Sequence, residues 1–198
     1  MKKAFYLLVI LFGCVTISNA QVTFKPGFRG GVNFSHFSKG NDSYYDDGFT
    51  SDRDFGSRTD FYLGFFGDLK LTKYYSLQPE INYSRQGSEY KYYDDSSMSN
   101  RTEDLEVSYL AVGIANKFTF NKFNVHVGPT FEFVVDQNFD TDASVDLAFF
   151  LGLGYDITPN FGVEARVKKG IIPVLDYSDG NHTNVVFSLG GFYKFDVK

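Results

Sequence analysis

The chain has 198 residues and a formal net charge of −5, with 23 Phe, 14 Tyr and no Trp. Its length fits one domain, and an aromatic content of 19% is too high for a disordered chain. No apolar run reaches the roughly 18 residues that a transmembrane helix needs. No Lys/Arg-rich run indicates a surface for nucleic acid, so we expect no nucleic-acid partner.

Residues 1–20 have the pattern of a secretory signal peptide. Lys2 and Lys3 precede an apolar stretch over residues 4–15, and Ser18-Asn19-Ala20 supplies the small residues of a cleavage site. The predicted mature domain is residues 21–198. A lipoprotein is the alternative, because the LFGC sequence at residues 11–14 resembles a lipobox. Cleavage after Ala20 removes Cys14, the one cysteine, so the mature chain has no disulfide.

The mature chain shows period-two hydrophobicity interrupted at regular intervals, which predicts an all-β fold. Each predicted segment is long enough to cross a bilayer at a tilt. In chain order the eight predicted strands cover residues 24–37, 59–71, 75–87, 106–120, 123–135, 145–157, 161–170 and 184–195.

One face of each predicted strand is apolar, while the other carries Gly, Ser, Asn and charged residues. In the second strand Phe61, Leu63 and Phe65 share one face, and Asp68 and Lys70 share the other. A transmembrane barrel turns the first face to lipid and the second to its lumen, and its closure removes unpaired edges. We therefore predict an eight-stranded antiparallel transmembrane β-barrel, with a lumen charge network of Arg29, Asp68, Lys70, Glu80, Lys117, Glu132, Glu164, Arg166 and Lys168.

The predicted connections alternate between long and short, as they do in barrels with long extracellular loops and tight periplasmic turns. An even number of strands then places both termini in the periplasm. The longer connections carry most of the 24 acidic residues. Acidic loops are most simply solvated caps. Those of this chain also contain Tyr44, Tyr45, Tyr90, Tyr92 and Tyr93, which suit contacts with an extracellular protein or glycan, or an interfacial aromatic belt.

The lumen charges have two interpretations. An eight-stranded barrel leaves a lumen only wide enough for side chains, so opposite charges there favour a salt-bridged plug. The alternative is a narrow path for ions or small solutes, as in a small porin.

Histidine offers the one route to an outer-membrane enzyme. His36 follows Ser35 near the first loop, which would supply a base beside a nucleophile. Adjacent strand residues face opposite ways, however, so we expect His36 to be an exposed residue at the barrel mouth and the chain not to be an enzyme. His126 has inward parity and is predicted to join the plug, and His182 lies in the last loop.

Two acidic groups in the loops offer oxygen ligands at spacings that Ca²⁺ can use, but neither reproduces a full calcium loop. We expect no metal or other cofactor. The weak candidate ligands are Asp52, Asp54, Asp140, Asp142 and Asp146.

The last strand carries the spacing polar-x-Gly-x-x-aromatic-x-aromatic in Ser188, Gly190, Tyr193 and Phe195. This spacing resembles the C-terminal signal that the outer-membrane barrel assembly machinery reads. We therefore expect that machinery to be a partner during biogenesis.

Four stretches together resemble the small outer-membrane β-barrels of Bacteroidetes, the porin-family or PorT-like barrels. They are FRGGVNFS at residues 28–35, YSLQPEINYS at residues 75–84, GLGY at residues 152–155 and EAR at residues 164–166. The resemblance implies an OmpA/OmpX-like barrel in the outer-membrane lipid, and for most members no defined activity.

The role that we expect is structural or interactive: a barrel with a filled lumen that presents acidic, Tyr-rich loops at the cell surface. A small porin and an accessory barrel for protein secretion are the alternatives, and the second follows only from the PorT-like resemblance.

Overall fold

The computed structural model is all-β. No helix in the described part of the chain is long and apolar enough to span a membrane. The predicted signal peptide lies outside the described residues, which are 22–38, 54–94, 98–141, 143–177 and 180–197.

Eight of the ten strands in these ranges form a closed barrel, as the sequence predicts, and β8 and β9 form a separate hairpin. The barrel strands are β1 (Thr23–Phe37), β2 (Asp54–Lys70), β3 (Tyr75–Asp94), β4 (Ser99–Phe120), β5 (Phe123–Gln137), β6 (Val145–Asp156), β7 (Phe161–Gly170) and β10 (Asn184–Lys194); the hairpin strands are β8 (Leu175–Tyr177) and β9 (Gly180–His182).

Pairing of β1 with β10 closes the ring. Their antiparallel register runs from Gly27 opposite Lys194 to Phe37 opposite Asn184. Every barrel strand therefore has a hydrogen-bonded neighbour on each side. This is what a sheet needs in hydrocarbon, where an unpaired backbone amide or carbonyl costs several kcal/mol, about as much as a lost hydrogen bond in an apolar medium.

The two faces of the sheet follow the predicted alternation. On β2 the outward side chains of Leu63 and Phe65 are 58% and 68% exposed, whereas the inward Tyr62 and Phe66 are buried. The same outward exposure of Phe, Leu, Ile and Val recurs around the ring. Only lipid covers so large an apolar surface on every side, so the outward face is the membrane face.

The barrel has two different ends. At the short-turn end, β2–β3, β4–β5 and β6–β7 are joined by residues 71–74, 121–122 and 157–160. Thr72 and Thr158 each begin a turn, and their hydroxyl oxygens accept hydrogen bonds from the backbone amides of Tyr75 and Phe161. In the remaining turn Asn121 adopts a φ of 60°, a conformation that Asn tolerates better than most residues.

Aromatic pairs line the outer wall at the short-turn end. Phe123 packs edge-on against Tyr155 at 4.9 Å, and Tyr74 stacks on Phe120 at 6.3 Å between ring centroids. Such rings are typical of the girdle at a membrane–water interface. The short-turn end therefore lies at one boundary of the membrane.

The lumen is filled by pairing small residues with large ones. A side chain added at Gly152 would collide with His126, and one added at Gly162 would collide with Phe192 on the neighbouring strand. Each of these glycines leaves room for a larger inward side chain across the ladder. This arrangement lets an eight-stranded barrel hold Phe, His and Arg in its interior.

The closing seam between β1 and β10 is built the same way. Gly30 pairs with Gly191, and Gly31 pairs with Gly190. A Cβ on Gly31 would overlap the backbone carbonyl of Leu189, and one on Gly190 would overlap the hydroxyl of Tyr62. The seam is therefore close-packed at backbone level.

Three strands extend by five or more residues beyond their predicted bounds at the end opposite the short turns. β2 begins at Asp54, β3 continues to Asp94 and β4 begins at Ser99, so most of the predicted loop over residues 88–105 is a β-hairpin. The predicted third strand ends at Gly87, but in the structure the strand continues, and the Gly87 backbone amide and carbonyl bind the Ser35 hydroxyl. The strands pair without interruption from Gly87 to Asp94.

The predicted connection over residues 171–183 contains the short β8–β9 hairpin. It brings Val174 against Phe37, and Leu105 and Phe139 pack around this pair. We call these four residues the apolar cap. The cap lies at the end of the barrel opposite the short turns, which we call the long-loop end.

Replacement of Gly31 by alanine is expected to destabilise the barrel, because the added methyl group meets backbone that has no room to move. The expected loss is about 1–3 kcal/mol, as for overpacking in other cores. Urea unfolding of the detergent-refolded protein, followed by the gel shift between folded and heated forms, measures it.

Gly191→Ala is the matched control, because a Cβ there meets nothing nearer than 3.4 Å. Equal urea midpoints for the two variants would contradict a close-packed seam.

Candidate functional site

The structure turns the predicted lumen residues toward the barrel interior, with different degrees of burial. Lys70 is exposed at the short-turn end, and Asp68 and Lys168 are partly buried. The buried members are Arg29, Glu80, Lys117, Glu132, Glu164 and Arg166.

Glu80 lies at the centre of the lumen, where two arginines share it. Arg29 donates to its Oε2 at 2.8 Å, and Arg166 donates to its Oε1 at 2.8 Å and its Oε2 at 3.2 Å. Asn82 adds a hydrogen bond to Oε1 at 3.1 Å. The carboxylate therefore joins β1, β3 and β7, three strands that are not neighbours in the ring.

Glu164 is the second carboxylate of this centre. Tyr62 donates a hydrogen bond to its Oε1 at 3.2 Å, and the same oxygen lies 3.8 Å from Arg29 and 3.5 Å from Arg166. His126 Nε2 is 3.9 Å from the other oxygen. Two guanidinium groups and two carboxylates thus balance each other, and we call Arg29, Glu80, Glu164 and Arg166 the central network.

Aromatic rings complete the surroundings of both arginines. The Arg29 guanidinium lies 4.5 Å from the centroid of the Phe66 ring, and that of Arg166 lies 4.7 Å from the centroid of Phe150. Cation–π contacts of this kind stabilise a desolvated guanidinium. Sequence reasoning missed the role of Phe150, although its position between outward Phe149 and Leu151 gives it inward parity.

The other predicted charges pair outside the central network. Lys168 binds Glu132 on the long-loop side, and Lys117 lies 3.8 Å from Asp68 toward the short turns. One oxygen of Glu132 and one of Asp68 have no hydrogen-bond partner. The lumen charges are therefore arranged in separate groups along the barrel axis.

Free space in the lumen is unevenly distributed. On the long-loop side of the central network a cavity of only about 50 Å³ lies among Asn33, Glu132 and Lys168. On the short-turn side a cavity of about 470 Å³ opens between the strand ends. With the apolar cap at the far end, the lumen is filled at its middle and open at the short-turn end.

The structure separates the two residues that the enzyme hypothesis would combine. Ser35 faces the lumen, where its hydroxyl donates to the Gly87 carbonyl at 2.9 Å. His36 follows on the opposite face and is half-buried rather than exposed as expected. The two side chains therefore cannot act as a nucleophile–base pair.

The other histidines are both buried. His126 joins the lumen interior, where its Nδ1 lies 3.2 Å from Asn124. His182 was predicted in a loop but ends β9 and is 2% exposed, with Nδ1 2.7 Å from the Ser38 carbonyl. The β8–β9 hairpin, which the sequence pattern did not indicate, explains this difference.

The candidate cation ligands do not come together in the described ranges, where no group of three or more His, Cys, Asp or Glu residues could hold a metal. Asp146 is buried and accepts the backbone amides of Ile171 and Ile172, and Asp140 is exposed. Asp52, Asp142 and the side chain of Asp54 lie outside the described part.

Residues 19–180 match the family described as the outer membrane protein beta-barrel domain. The chain belongs to this family. Among solved structures, this outer-membrane barrel is similar to Neisserial surface protein A, with 17% identity, a TM-score of 0.54, and 86% of this chain and 97% of that chain covered.

Two further structures are similar to this outer-membrane barrel. OprG from Pseudomonas aeruginosa has 12% identity and a TM-score of 0.49, covering 90% of this chain and 99% of that one. Ail of Yersinia pestis, in complex with the heparin analogue sucrose octasulfate, has 14% identity and a TM-score of 0.49, covering 87% and 99%. Comparison with curated proteins gives no significant match.

The residues of the predicted assembly signal lie on both faces of β10 and just after it. Ser188 points inward and donates to Asn33 at 2.7 Å. Tyr193 and Phe195 face outward, with ring centroids 5.9 and 5.7 Å from that of Phe28. The aromatic residues of the signal thus form part of the outer wall beside the first strand.

The outer-membrane barrel also carries an ion cluster that sequence reasoning missed. Arg58 donates to Asp60 at 2.7 Å and binds Glu106, which also binds Arg85. This cluster lies where the β2–β3 register shifts between Ser57 and Tyr62. The hydrogen bond from Arg85 holds the pKa of Glu106 below its usual value. Arg85 is thus paired with Glu106 and lies 3.4 Å from Asp60.

Replacement of Glu80 by alanine is expected to destabilise the outer-membrane barrel by about 3 kcal/mol or more, because it leaves two buried guanidinium groups without their shared carboxylate. The urea midpoint of the refolded protein in detergent measures the change.

Glu103→Ala, at an exposed position of the β3–β4 hairpin, removes the same charge and is expected to leave the midpoint unchanged. If both variants unfold at the wild-type midpoint, the central network does not stabilise the barrel.

Proposed function

We propose that this protein is a closed barrel whose role is to present its long-loop end to a partner at the cell surface. The observation that carries the proposal is the filled lumen. The central network occupies the middle of the barrel, and the apolar cap packs at the long-loop end. A barrel that offers solutes no continuous path acts through its surface.

The orientation belongs to the same proposal. Barrels of the outer membrane turn their short connections to the periplasm and their long ones outward. Both ends of the described barrel lie beside the short turns, since Thr23 pairs with Lys70 and Lys194 with Gly27. Periplasmic termini follow.

The surface that we assign to this role is the outer part of the β3–β4 hairpin, residues 87–94 and 99–105. Asp94 lies seven residues beyond Gly87, which at the usual rise per strand residue is an extension of about 23 Å. The backbone ladder makes this a defined surface rather than a loose loop. Glu103 and Asp104 are exposed on it and Glu89 is partly exposed.

The acidic character of the hairpin favours a protein partner with a basic surface. Complementary charge speeds association and discriminates between partners. Tyr90 on the same hairpin adds an aromatic side chain of the kind that is enriched in protein interfaces.

A small porin is the second candidate function, and the cavity of about 470 Å³ at the short-turn end favours it. Conduction would require water to pass the central network and the apolar cap.

Placement among the PorT-like barrels, with an accessory role in secretion, rests on the sequence resemblance. A secretion partner purified with the barrel from native membranes would support it. We propose no enzymatic role.

Planar-bilayer recording of the mature chain, residues 21–198, is expected to show no conductance steps, because the central network leaves no continuous water path. The gel shift of the same sample establishes that the protein is folded. Reproducible steps from folded protein would favour the porin instead.

Binding of cationic proteins tests the assigned surface. Barrels in nanodiscs are immobilised and exposed to lysozyme, lactoferrin and histone at physiological ionic strength. Glu89→Gln combined with Glu103→Gln is expected to weaken binding several-fold, because each change removes an attractive charge from the hairpin.

Lys91→Gln on the same hairpin is the matched control, since it removes a charge of the opposite sign and is expected to strengthen binding. Absence of binding to all three proteins, or equal effects of the two kinds of variant, would contradict a basic partner on this surface.

A further inference from the structure

The short-turn end of the lumen contains a chamber that neither the plug nor the surface hairpin uses. Its volume is about 470 Å³, within the range of small-molecule sites. We call it the vestibule. Its lining consists of Thr23, Lys25, Asp68, Lys70, Ser76, Lys117, Thr119, Asn121, Lys122, Asp156, Ile157, Thr158, Pro159 and Lys194.

The vestibule is strongly basic, with five lysines against two aspartates in its lining. Three of these lysines form ion pairs: Lys25 with Asp196 at 2.5 Å, Lys194 with Asp156 at 2.7 Å, and Lys117 with Asp68 at 3.8 Å. In the part of the chain that the structure describes, Lys70 and Lys122 have no hydrogen-bond acceptor. The chamber therefore has an excess of positive charge inside a low-dielectric wall, which concentrates its field.

Lys117 is the most informative residue of the chamber. It is 4% exposed, and its Nζ lies 3.8 Å from Asp68, beyond hydrogen-bond distance. The ring of Phe192 lies 5.2 Å from the same ammonium group. Among the described residues the ammonium thus has no hydrogen-bond acceptor, although burial of a charge normally requires one.

Neutral donors accompany these cations. The lining includes the hydroxyls of Ser76, Thr119 and Thr158 and the amide of Asn121. Ammonium groups combined with hydroxyl and amide donors match the oxygens of a phosphate group, which carries more than one negative charge and several acceptor positions. A single carboxylate would leave most of the positive charge unmatched.

We propose that the vestibule binds a phosphate-bearing anion, with Lys117 at its inner end and Lys70 and Lys122 at its rim. The volume accommodates a group larger than inorganic phosphate, such as a diphosphate. In the orientation proposed above, the chamber opens to the periplasm. The phosphate can come from a soluble compound or from a lipid headgroup at the periplasmic surface of the outer membrane.

Titration calorimetry with inorganic pyrophosphate tests the site. The refolded mature chain is held in dodecyl maltoside, because this detergent contains no phosphate. Lys117→Gln is expected to weaken binding about tenfold or more, the effect of losing one charge-assisted hydrogen bond. Lys70→Gln keeps the buried part of the lumen intact and is expected to weaken binding as well.

Lys91→Gln is the matched control, because it removes one lysine charge at the opposite end of the barrel. It is expected to bind pyrophosphate as the wild type does. The proposal is overturned if the wild-type protein does not bind, if the two vestibule variants bind like the wild type, or if Lys91→Gln loses as much affinity as they do.

Nanodiscs distinguish the two sources of phosphate. Pyrophosphate binding that is equal in discs of phosphatidylglycerol and of phosphate-free galactolipid supports a soluble ligand. Binding that persists in galactolipid but is suppressed by phosphatidylglycerol supports a lipid headgroup at the same site. Loss of binding in both kinds of disc would overturn the proposal, because pyrophosphate would then bind only to the protein in detergent and not to the protein in a bilayer.

Discussion

The sharing of Glu80 between Arg29 and Arg166 is the interaction on which the rest of the barrel interior depends. A charge inside a ring of hydrocarbon-facing strands has little water to solvate it, so it must find an opposite charge across the lumen. The backbone ladder holds each strand only to its neighbours, whereas this carboxylate connects strands on different sides of the ring. A slip of one residue would turn these charges to the lipid, so the network also reinforces the strand register.

Filling the middle of the lumen makes the two ends independent. The side with the apolar cap carries the long acidic hairpin, and the other side carries the basic vestibule. The opposite charge of the two ends corresponds to the division that the sequence shows between acidic connections and the remainder of the chain. The central network therefore separates an acidic end from a basic end along the barrel axis.

The alternation of apolar and polar residues is a local signal, and it was enough to predict the eight barrel strands and their closed antiparallel ring. The bounds of β7 match the prediction. The strands β2 to β4 were predicted too short, because charged residues indicate a loop when the hairpin pairing is unknown. Contacts across the lumen could not be predicted in this way. That Phe150 covers Arg166, or that Arg58 meets Glu106, depends on shear, bulges and residue spacing around the whole ring.

The seam between β1 and β10 has a consequence for the order of events during folding. It pairs Gly27 with Lys194, so the first strand obtains its second neighbour only when the last strand is present. Contacts between such distant residues are slow to form, and until then β1 carries an unpaired edge that invites aggregation. Synthesis therefore cannot complete the barrel progressively from its N-terminus, and the exported chain must be kept soluble until its final residues reach the membrane.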